Sequence, residues 1–149
     1  MILYTLRKNN NTTSQHYGKY YAYPVIEETF QLDDLAAHMA NHNTPYSKGA
    51  IKGVLADMVS CIKELILEGK NVKIADLAIF SIGIKNARGA NSPEEFNVAK
   101  NIQGVKFRAR ATGELTAKNL NLEATLKRAT ATSAANRQVA ADDTEGPKE

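Results

Sequence analysis

The 149-residue sequence predicts an α+β fold, in which a helix-turn-helix body precedes a β-sheet with a long two-stranded arm. Two patterns support this prediction. Apolar residues recur at helical spacing over residues 31–68, and β-branched and aromatic runs separated by turn residues follow over residues 72–110. With 43% hydrophobic residues and no Trp, the chain is expected to form one domain with an aliphatic core, plus appendages.

The N-terminal segment, residues 1–30, is predicted to be a β-hairpin extension. Its two strands, residues 2–8 and 17–26, are rich in Tyr, Ile, Leu and Val, and a polar run separates them. Pro24 places the end of the second strand at a sheet edge or at the exit of the strand, because proline cannot donate a ladder hydrogen bond.

Two helices are expected next, over about residues 31–41 and 48–68. Ser47 suits the N-cap of the second helix, and Gly69 suits the position after its C-cap. The apolar stripe of this helix is longer than one short helix can cover, so we expect a second copy of the chain to cover the rest, in a homodimer. The stripe consists of Ile51, Val54, Leu55, Met58, Ile62, Leu65 and Ile66.

The second half of the body is predicted to be mainly β-structure. Residues 72–84 are interpreted as two strands joined by a tight turn at Ala75-Asp76. Residues 86–93 have the composition of a loop, and residues 95–110 are expected to form the returning strand of the arm.

The C-terminal part is predicted to contain a closing helix and a tail. One or two short helices are expected from Gly113 to about Lys127, with Leu115, Leu122 and Leu126 on one face. Residues 129–149 contain almost no large apolar side chain and cannot offset their ordering entropy, so a disordered tail is expected there.

The charge is unevenly distributed along the chain. The net charge is +3, yet residues 81–118 alone hold seven Lys and Arg against three Asp and Glu. An anionic partner is therefore favoured. The single Cys61 excludes an intramolecular disulfide and is interpreted as a core or near-core residue. With no signal-peptide or membrane-span pattern, a cytoplasmic protein without a membrane partner is expected.

The order of these elements and two local segments resemble the HU/IHF family of histone-like bacterial DNA-binding proteins. In residues 67–80, a Gly-containing turn ends a long helix and leads to a Val-x-Ile strand, a tight turn and a strand entered through Phe80. Residues 105–115 resemble the segment where the returning arm strand meets the last helix. The resemblance implies an IHF-like DNA-binding fold over residues 31–128, in an intertwined homodimer.

The function that this resemblance implies is architectural: binding, and bending, of double-stranded DNA in the nucleoid with little sequence preference. The chain departs from the family at three places. It has Asp76-Leu77-Ala78 where most members have Gly-Phe-Gly, and Pro93-Glu94-Glu95 where a basic Asn-Pro tip is usual. Its N-terminal hairpin resembles that of a longer HU-like subgroup with an N-terminal extension.

The residues expected to contact DNA lie on the predicted arm and at its base. Lys106, Arg108 and Arg110 are spaced two apart and would share one face of a strand. The alternative is a solvated edge that only prevents aggregation. Pro93 is the candidate for a wedge between base steps, or else an ordinary turn proline. The complete candidate DNA-binding set is Lys85, Arg88, Pro93, Lys100, Lys106, Arg108, Arg110 and Lys118.

Other functions have less support in the sequence than DNA bending. The five tyrosines of the N-terminal hairpin could form a stacking platform for single-stranded nucleic acid. More commonly, such residues pack within and between strands. His38 and His42 have the i, i+4 spacing of a metal pair but lack a third ligand, so no metal or other cofactor is expected. No catalytic motif or small-molecule site is evident, so an enzyme is not expected. The chief alternative is a structural protein that uses an HU-like body to bind a protein partner.

Overall fold

A computed structural model describes residues 1–130 of the chain. These residues fall into two compact units, one of residues 1–30 with the segment from Glu123 onward, and one of residues 31–122. The elements are β1 (Ile2–Lys8), β2 (Tyr20–Pro24), α1 (Leu32–Ala40), α2 (Lys48–Leu67), β3 (Val72–Ile74), β4 (Ala78–Asn86), α3 (Val98–Asn101), β5 (Ile102–Ala111), a 3-10 helix (Gly113–Leu115), α4 (Ala117–Glu123) and β6 (Leu126–Arg128).

The first unit is a three-stranded sheet with the order β2-β1-β6. β1 and β2 form the predicted antiparallel hairpin, and Pro24 ends the edge strand β2, as expected. β6 pairs with β1 in parallel, with Ile2 opposite Leu126. The prediction of a helix as far as Lys127 is therefore wrong. Helix α4 ends at Glu123, because the backbone beyond it hydrogen-bonds to β1 instead, as in the 2.8 Å bond from Ile2 N to Thr125 O.

Helices α1 and α2 of the second unit form where the sequence predicted them. The Ser47 hydroxyl caps α2 by accepting a 3.2 Å hydrogen bond from the Ala50 amide. At the other end Gly69 adopts φ +81°, and the Lys70 amide donates to the Leu65 carbonyl at 3.0 Å. This is the Schellman arrangement, which satisfies carbonyl groups that the last helical turn leaves free. Both predicted caps are confirmed.

An ion pair joins the two helices. The Lys52 ammonium lies 2.9 Å from the Asp33 carboxylate, and Lys48 lies 3.9 Å from it. The hydrogen bond from Lys52 holds the pKa of Asp33 below its ordinary value. Because the pair is exposed, its contribution to stability is small and is lost as the pH falls through the lowered pKa of Asp33.

The second sheet is antiparallel, with the order β3-β4-β5. The predicted tight turn between β3 and β4 is present, with Asp76 at φ 60°. The prediction of a strand from residue 95 is wrong, because residues 98–101 form a helical turn and β5 begins only at Ile102. The Asn97 side chain explains this difference, since it accepts a 2.9 Å hydrogen bond from the Ala99 amide and caps the turn.

The described residues bury few hydrophobic side chains. Ala36, Ile51, Ile66 and Ala78 are buried, and no large side chain among residues 1–130 is fully enclosed. Val54 of α2, by contrast, is 69% exposed. The core formed by residues 1–130 is therefore small for their hydrophobic content.

Within the described part of the chain, none of the helices combines the length and the apolar character that crossing a bilayer requires. The predicted disordered tail, residues 129–149, falls almost entirely on residues 131–149, which lie outside the described residues. The first residue of that range, Ala129, donates a 2.9 Å backbone hydrogen bond to the Tyr4 carbonyl.

The contact between Gly113 and Asp76 gives a test of the second unit. Gly113 has φ +52°, and a Cβ there would collide with Asp76 Oδ1 and lie 2.9 Å from Asp76 Cα. We expect Gly113→Ala to lower the free energy of unfolding by about 1–3 kcal/mol in urea denaturation. Gly89→Ala is the control, because a Cβ at Gly89 meets nothing within 4 Å. Equal stabilities of the two variants would contradict this role of Gly113.

Candidate nucleic-acid interface

The β4–β5 hairpin collects basic side chains on one of its faces. Across the two strands Lys106 pairs with Gly83, Arg108 with Ser81, and Arg110 with Ile79. Because directly paired residues of antiparallel strands point to the same side, the three basic residues share a face, as their spacing predicted.

Two further lysines extend this face. Lys85 pairs with Gly104 at the outer end of the hairpin, and Lys73 of β3 pairs with Ile79, which itself pairs with Arg110. Together they make a surface three strands wide, called here the basic face, which consists of Lys73, Lys85, Lys106, Arg108 and Arg110. Lys73 is not among the residues predicted from the sequence, although its position between the apolar Val72 and Ile74 is the alternation that could have identified it.

Gly83 makes room for the central arginine of the basic face. A Cβ at position 83 would lie 2.8 Å from Arg108 Nε and 2.9 Å from its Cζ. The guanidinium therefore lies over the backbone of β4, and this covers Gly83, which is buried. Gly83 could not be predicted from the sequence either, because its role depends on the cross-strand register.

The opposite face of the hairpin is apolar. Phe80 and Phe107 stack there with ring centroids 5.9 Å apart and an angle of 24° between their planes. Val105 and Ile84 continue this face outward and are exposed in the protomer. The two faces thus differ in chemistry: one is cationic and the other presents aromatic and aliphatic side chains.

No acidic side chain of residues 1–130 forms an ion pair with the basic face. Among residues 1–130, the ion pairs involve Asp33 with Lys48 and Lys52, and Glu68 with Lys70, and none includes a residue of the basic face. A depression of about 610 Å³ lies beside Arg108 and Arg110, lined also by Asn71 and Ser81. Cations arranged in this way can bind a polyanion without first breaking a salt bridge.

The end of the hairpin is organised by Asn101, which is only 4% exposed. Its side-chain nitrogen donates to the backbone carbonyl of Arg88 at 2.7 Å, and its side-chain oxygen accepts from the backbone N–H of Asn97 at 2.8 Å. Arg88 and Lys100 both line a depression of about 590 Å³ at this tip. Asn101 is not among the residues predicted from the sequence, because its role depends on contacts across the loop.

Pro93 lies at the exposed tip and begins a turn in which the Phe96 amide donates to its carbonyl at 3.2 Å. Glu94 follows it directly. Hydrogen bonds from its own backbone amide and from Ser92 lower the pKa of the Glu94 carboxyl, so it is anionic at neutral pH. A negative charge therefore stands beside the candidate wedge.

The remaining candidates lie elsewhere. Lys118 is on helix α4, not on the hairpin. Cys61 is exposed, so its interpretation as a core or near-core residue is wrong for the protomer. The rings of His38 and His42 meet with their Nε2 atoms 3.0 Å apart. Over residues 1–130, no group of three or more potential metal ligands is present.

Comparison with known proteins identifies the family. Residues 1–124 match the HU-HIG family, described as an HU domain fused to wHTH, Ig, or Glycine-rich motif. The chain belongs to this family. The resemblance to HU-like proteins inferred from the sequence is thus confirmed.

Solved structures extend the comparison of this HU-HIG protein. A candidate bacterial DNA-binding protein from Bacteroides vulgatus ATCC 8482 is similar, with a TM-score of 0.61 and 11% identity. The match covers 85% of this chain but only 47% of the other, so the chain spans about half of that relative. An Anabaena HU–DNA complex matches with a TM-score of 0.43 and 15% identity, over 64% of this chain and 100% of that one. No curated protein matches the chain.

The contacts of Asn101 predict how the tip of this HU-HIG protein responds to mutation. Asn101→Ala removes the hydrogen bonds to Asn97 and Arg88, and we expect amide exchange in residues 86–101 to accelerate roughly 10-fold. Hydrogen–deuterium exchange mass spectrometry measures this. Asn91→Ala, at an exposed position of the same tip, should leave exchange unchanged. Unaltered protection in Asn101→Ala would show that the tip does not depend on these bonds.

Proposed function

We propose that this protein binds double-stranded DNA through the basic face of the β4–β5 hairpin, with little sequence preference, and bends it as a histone-like architectural protein of the nucleoid. The observation that carries this proposal is the basic face itself, where five cations lie on paired strands and form no ion pair within residues 1–130. Membership of an HU family and similarity to the fold of the Bacteroides protein support it.

The lack of sequence preference follows from the kind of side chain on this face. Lysine and arginine on a sheet bind phosphate oxygens, which are the same at every base step. The main helices of the second unit, α1 and α2, carry apolar stripes and an ion pair between them, which is not the composition of a recognition helix. Binding of this kind needs no cofactor and no catalytic group.

The homodimer belongs to the same proposal. A groove of about 370 Å³ between α1 and α2 is open in the protomer and almost entirely apolar. Val54 and Tyr46 in this groove and Phe107 on the apolar face of the hairpin are all exposed. A second copy of the chain would bury these side chains, and it would present a second basic face to the same DNA.

Bending requires flanking phosphate contacts and favours a wedge between base steps. Arg88 and Lys100 at the tip supply cations near Pro93, but the anionic Glu94 opposes a close approach to phosphates. We therefore assign DNA binding mainly to the basic face. Pro93 is expected to insert between base steps less readily than a proline flanked by basic residues would.

The test is the combined change Lys106→Ala, Arg108→Ala and Arg110→Ala. Fluorescence anisotropy on a random-sequence duplex, titrated across salt, should show a large loss of affinity. The slope of log K against log salt should fall by about 2 to 3, because up to three phosphate contacts are lost.

The matched control changes Lys48, Lys63 and Lys70 to Ala, which removes the same charge from α2 and the turn after it. Its affinity should stay much closer to that of the unchanged protein, and sedimentation should show both variants in the same oligomeric state. Equal losses in the two variants would mean that only net charge matters. If the unchanged protein fails to bind duplex at low salt, binding of double-stranded DNA is excluded, and the protein-partner function becomes the better account of the HU-like body.

A further inference from the structure

The sheet β2-β1-β6 gathers positive charge that the linear sequence conceals. Residues 1–26 and 124–130, which build this sheet, contain five basic residues and no Asp or Glu. Lys127 and Arg128 join the other cations only because β6 pairs with β1, more than a hundred residues away in the chain. The five basic residues are Arg7, Lys8, Lys19, Lys127 and Arg128.

The tyrosines of the same sheet are largely open to solvent. Tyr20 is 64% exposed, Tyr21 40% and Tyr23 45%. Strand packing, the more common role of such residues, would have buried their rings. Exposed aromatic rings among cations are instead the composition of a surface that binds nucleic acid by stacking.

One face of the sheet combines both features. Tyr21 pairs with Arg7, and Tyr23 pairs with Thr5, so Arg7 and both tyrosines point to the same side. Lys127 pairs with Leu3, two residues before Thr5, and therefore lies on this side as well. We call Arg7, Tyr21, Tyr23 and Lys127 the tyrosine face.

The groups of the tyrosine face are held in place by ring contacts. The Arg7 guanidinium lies 5.1 Å from the centre of the Tyr23 ring, a cation–π geometry. The His16 ring meets the Tyr21 ring edge-on, with centroids 6.4 Å apart. An open depression of about 660 Å³ lies against Arg7, His16, Tyr21 and Tyr23.

We propose that the tyrosine face binds single-stranded nucleic acid. Arg7 and Lys127 hold backbone phosphates, and Tyr21 and Tyr23 stack on bases. A single strand fits better than a duplex, because the bases of a duplex are stacked on one another and offer no free ring faces to tyrosine. The strands and turns of this sheet, residues 1–26 and 124–130, contain no acidic side chain to repel a phosphate backbone, and the acidic residues Glu27, Glu28 and Glu123 flank these ranges.

This site is separate from the basic face, and it does not depend on duplex binding there. The experiment therefore starts from the full chain carrying Lys106→Ala, Arg108→Ala and Arg110→Ala, in which the basic face is disabled. The probes are fluorescein-labelled oligo-dT and oligo-U of about 20 nucleotides, and a duplex of the same length, compared by anisotropy at low salt.

The parent triple variant is expected to bind a single strand more tightly than the duplex. Adding Tyr21→Leu and Tyr23→Leu should weaken single-strand binding roughly 10-fold or more, since each stacked base contributes substantially to affinity. Arg7→Gln with Lys127→Gln should weaken it too and reduce its salt dependence. Tyr20→Leu is the matched control, because Tyr20 has the same ring, is even more exposed, and lies on the opposite face of the sheet. The affinity of this control for a single strand should stay within twofold of the parent's.

Three results would overturn the proposal. The first is that the parent variant binds no single strand at low salt, as would happen if a second copy of the chain covered the sheet. The second is that the Tyr20 change weakens binding as much as the Tyr21 and Tyr23 changes do. The third is that the parent variant binds duplex as tightly as single strand. Circular dichroism of each variant shows whether the sheet is intact, and the Arg7/Lys127 pair tests the site again should the tyrosine pair unfold. Binding of either oligo-dT or oligo-U supports the proposal, and their ratio identifies the preferred sugar.

Discussion

The antiparallel register between β4 and β5 is the constraint on which the interface depends. It puts Lys106, Arg108 and Arg110 on one side, and Phe80 and Phe107 on the other. Because side chains alternate with a period of two, a slip of one residue would exchange the faces of a whole strand. The Phe80–Phe107 stack stabilises the observed register, in which Gly83, having no Cβ, leaves room for the Arg108 guanidinium. The same pairing thus separates a cationic surface from an apolar one.

A second long-range pairing determines which charged side chains come together in the other unit. The parallel pairing of β6 with β1 brings Lys127 beside Leu3 and Arg128 beside Tyr4. A chain with a modest net charge of +3 therefore has two separate cationic surfaces, one on each compact unit. They differ in the side chains that lie between the cations. These side chains are small or aliphatic on the basic face and aromatic on the tyrosine face. Phosphate binding is common to both, whereas stacking belongs to the second.

The features predicted correctly from the sequence depend on local rules. The caps of α2 at Ser47 and Gly69 follow from backbone groups within one turn, and the shared face of Lys106, Arg108 and Arg110 follows from the strand period. The errors come from contacts between distant residues. Leu126 has helical spacing with Leu122 but pairs with Ile2, and nothing near residue 126 encodes that partner.

Other features of the site were beyond sequence reasoning for the same reason. Gly83 acquires its role from the residue opposite it, and Asn101 from carbonyl and amide groups across a loop. Cys61 fits an apolar helical pattern but is exposed. The apolar stripe of α2 is larger than the surface that the other described elements offer to cover it. An account of these residues requires the register, which is a property of the fold.

The most direct test of the central claim is the rate of thiol labelling at two adjacent residues of β4, Ser81→Cys and Ile82→Cys, each in a Cys61→Ser background. Position 81 faces the side of Arg108, and position 82 faces the side of Phe107. Duplex DNA should slow labelling at position 81 several-fold and leave the rate at position 82 unchanged. Equal protection at both positions, or protection at position 82 alone, would contradict the division of the hairpin into a DNA-binding face and an apolar one.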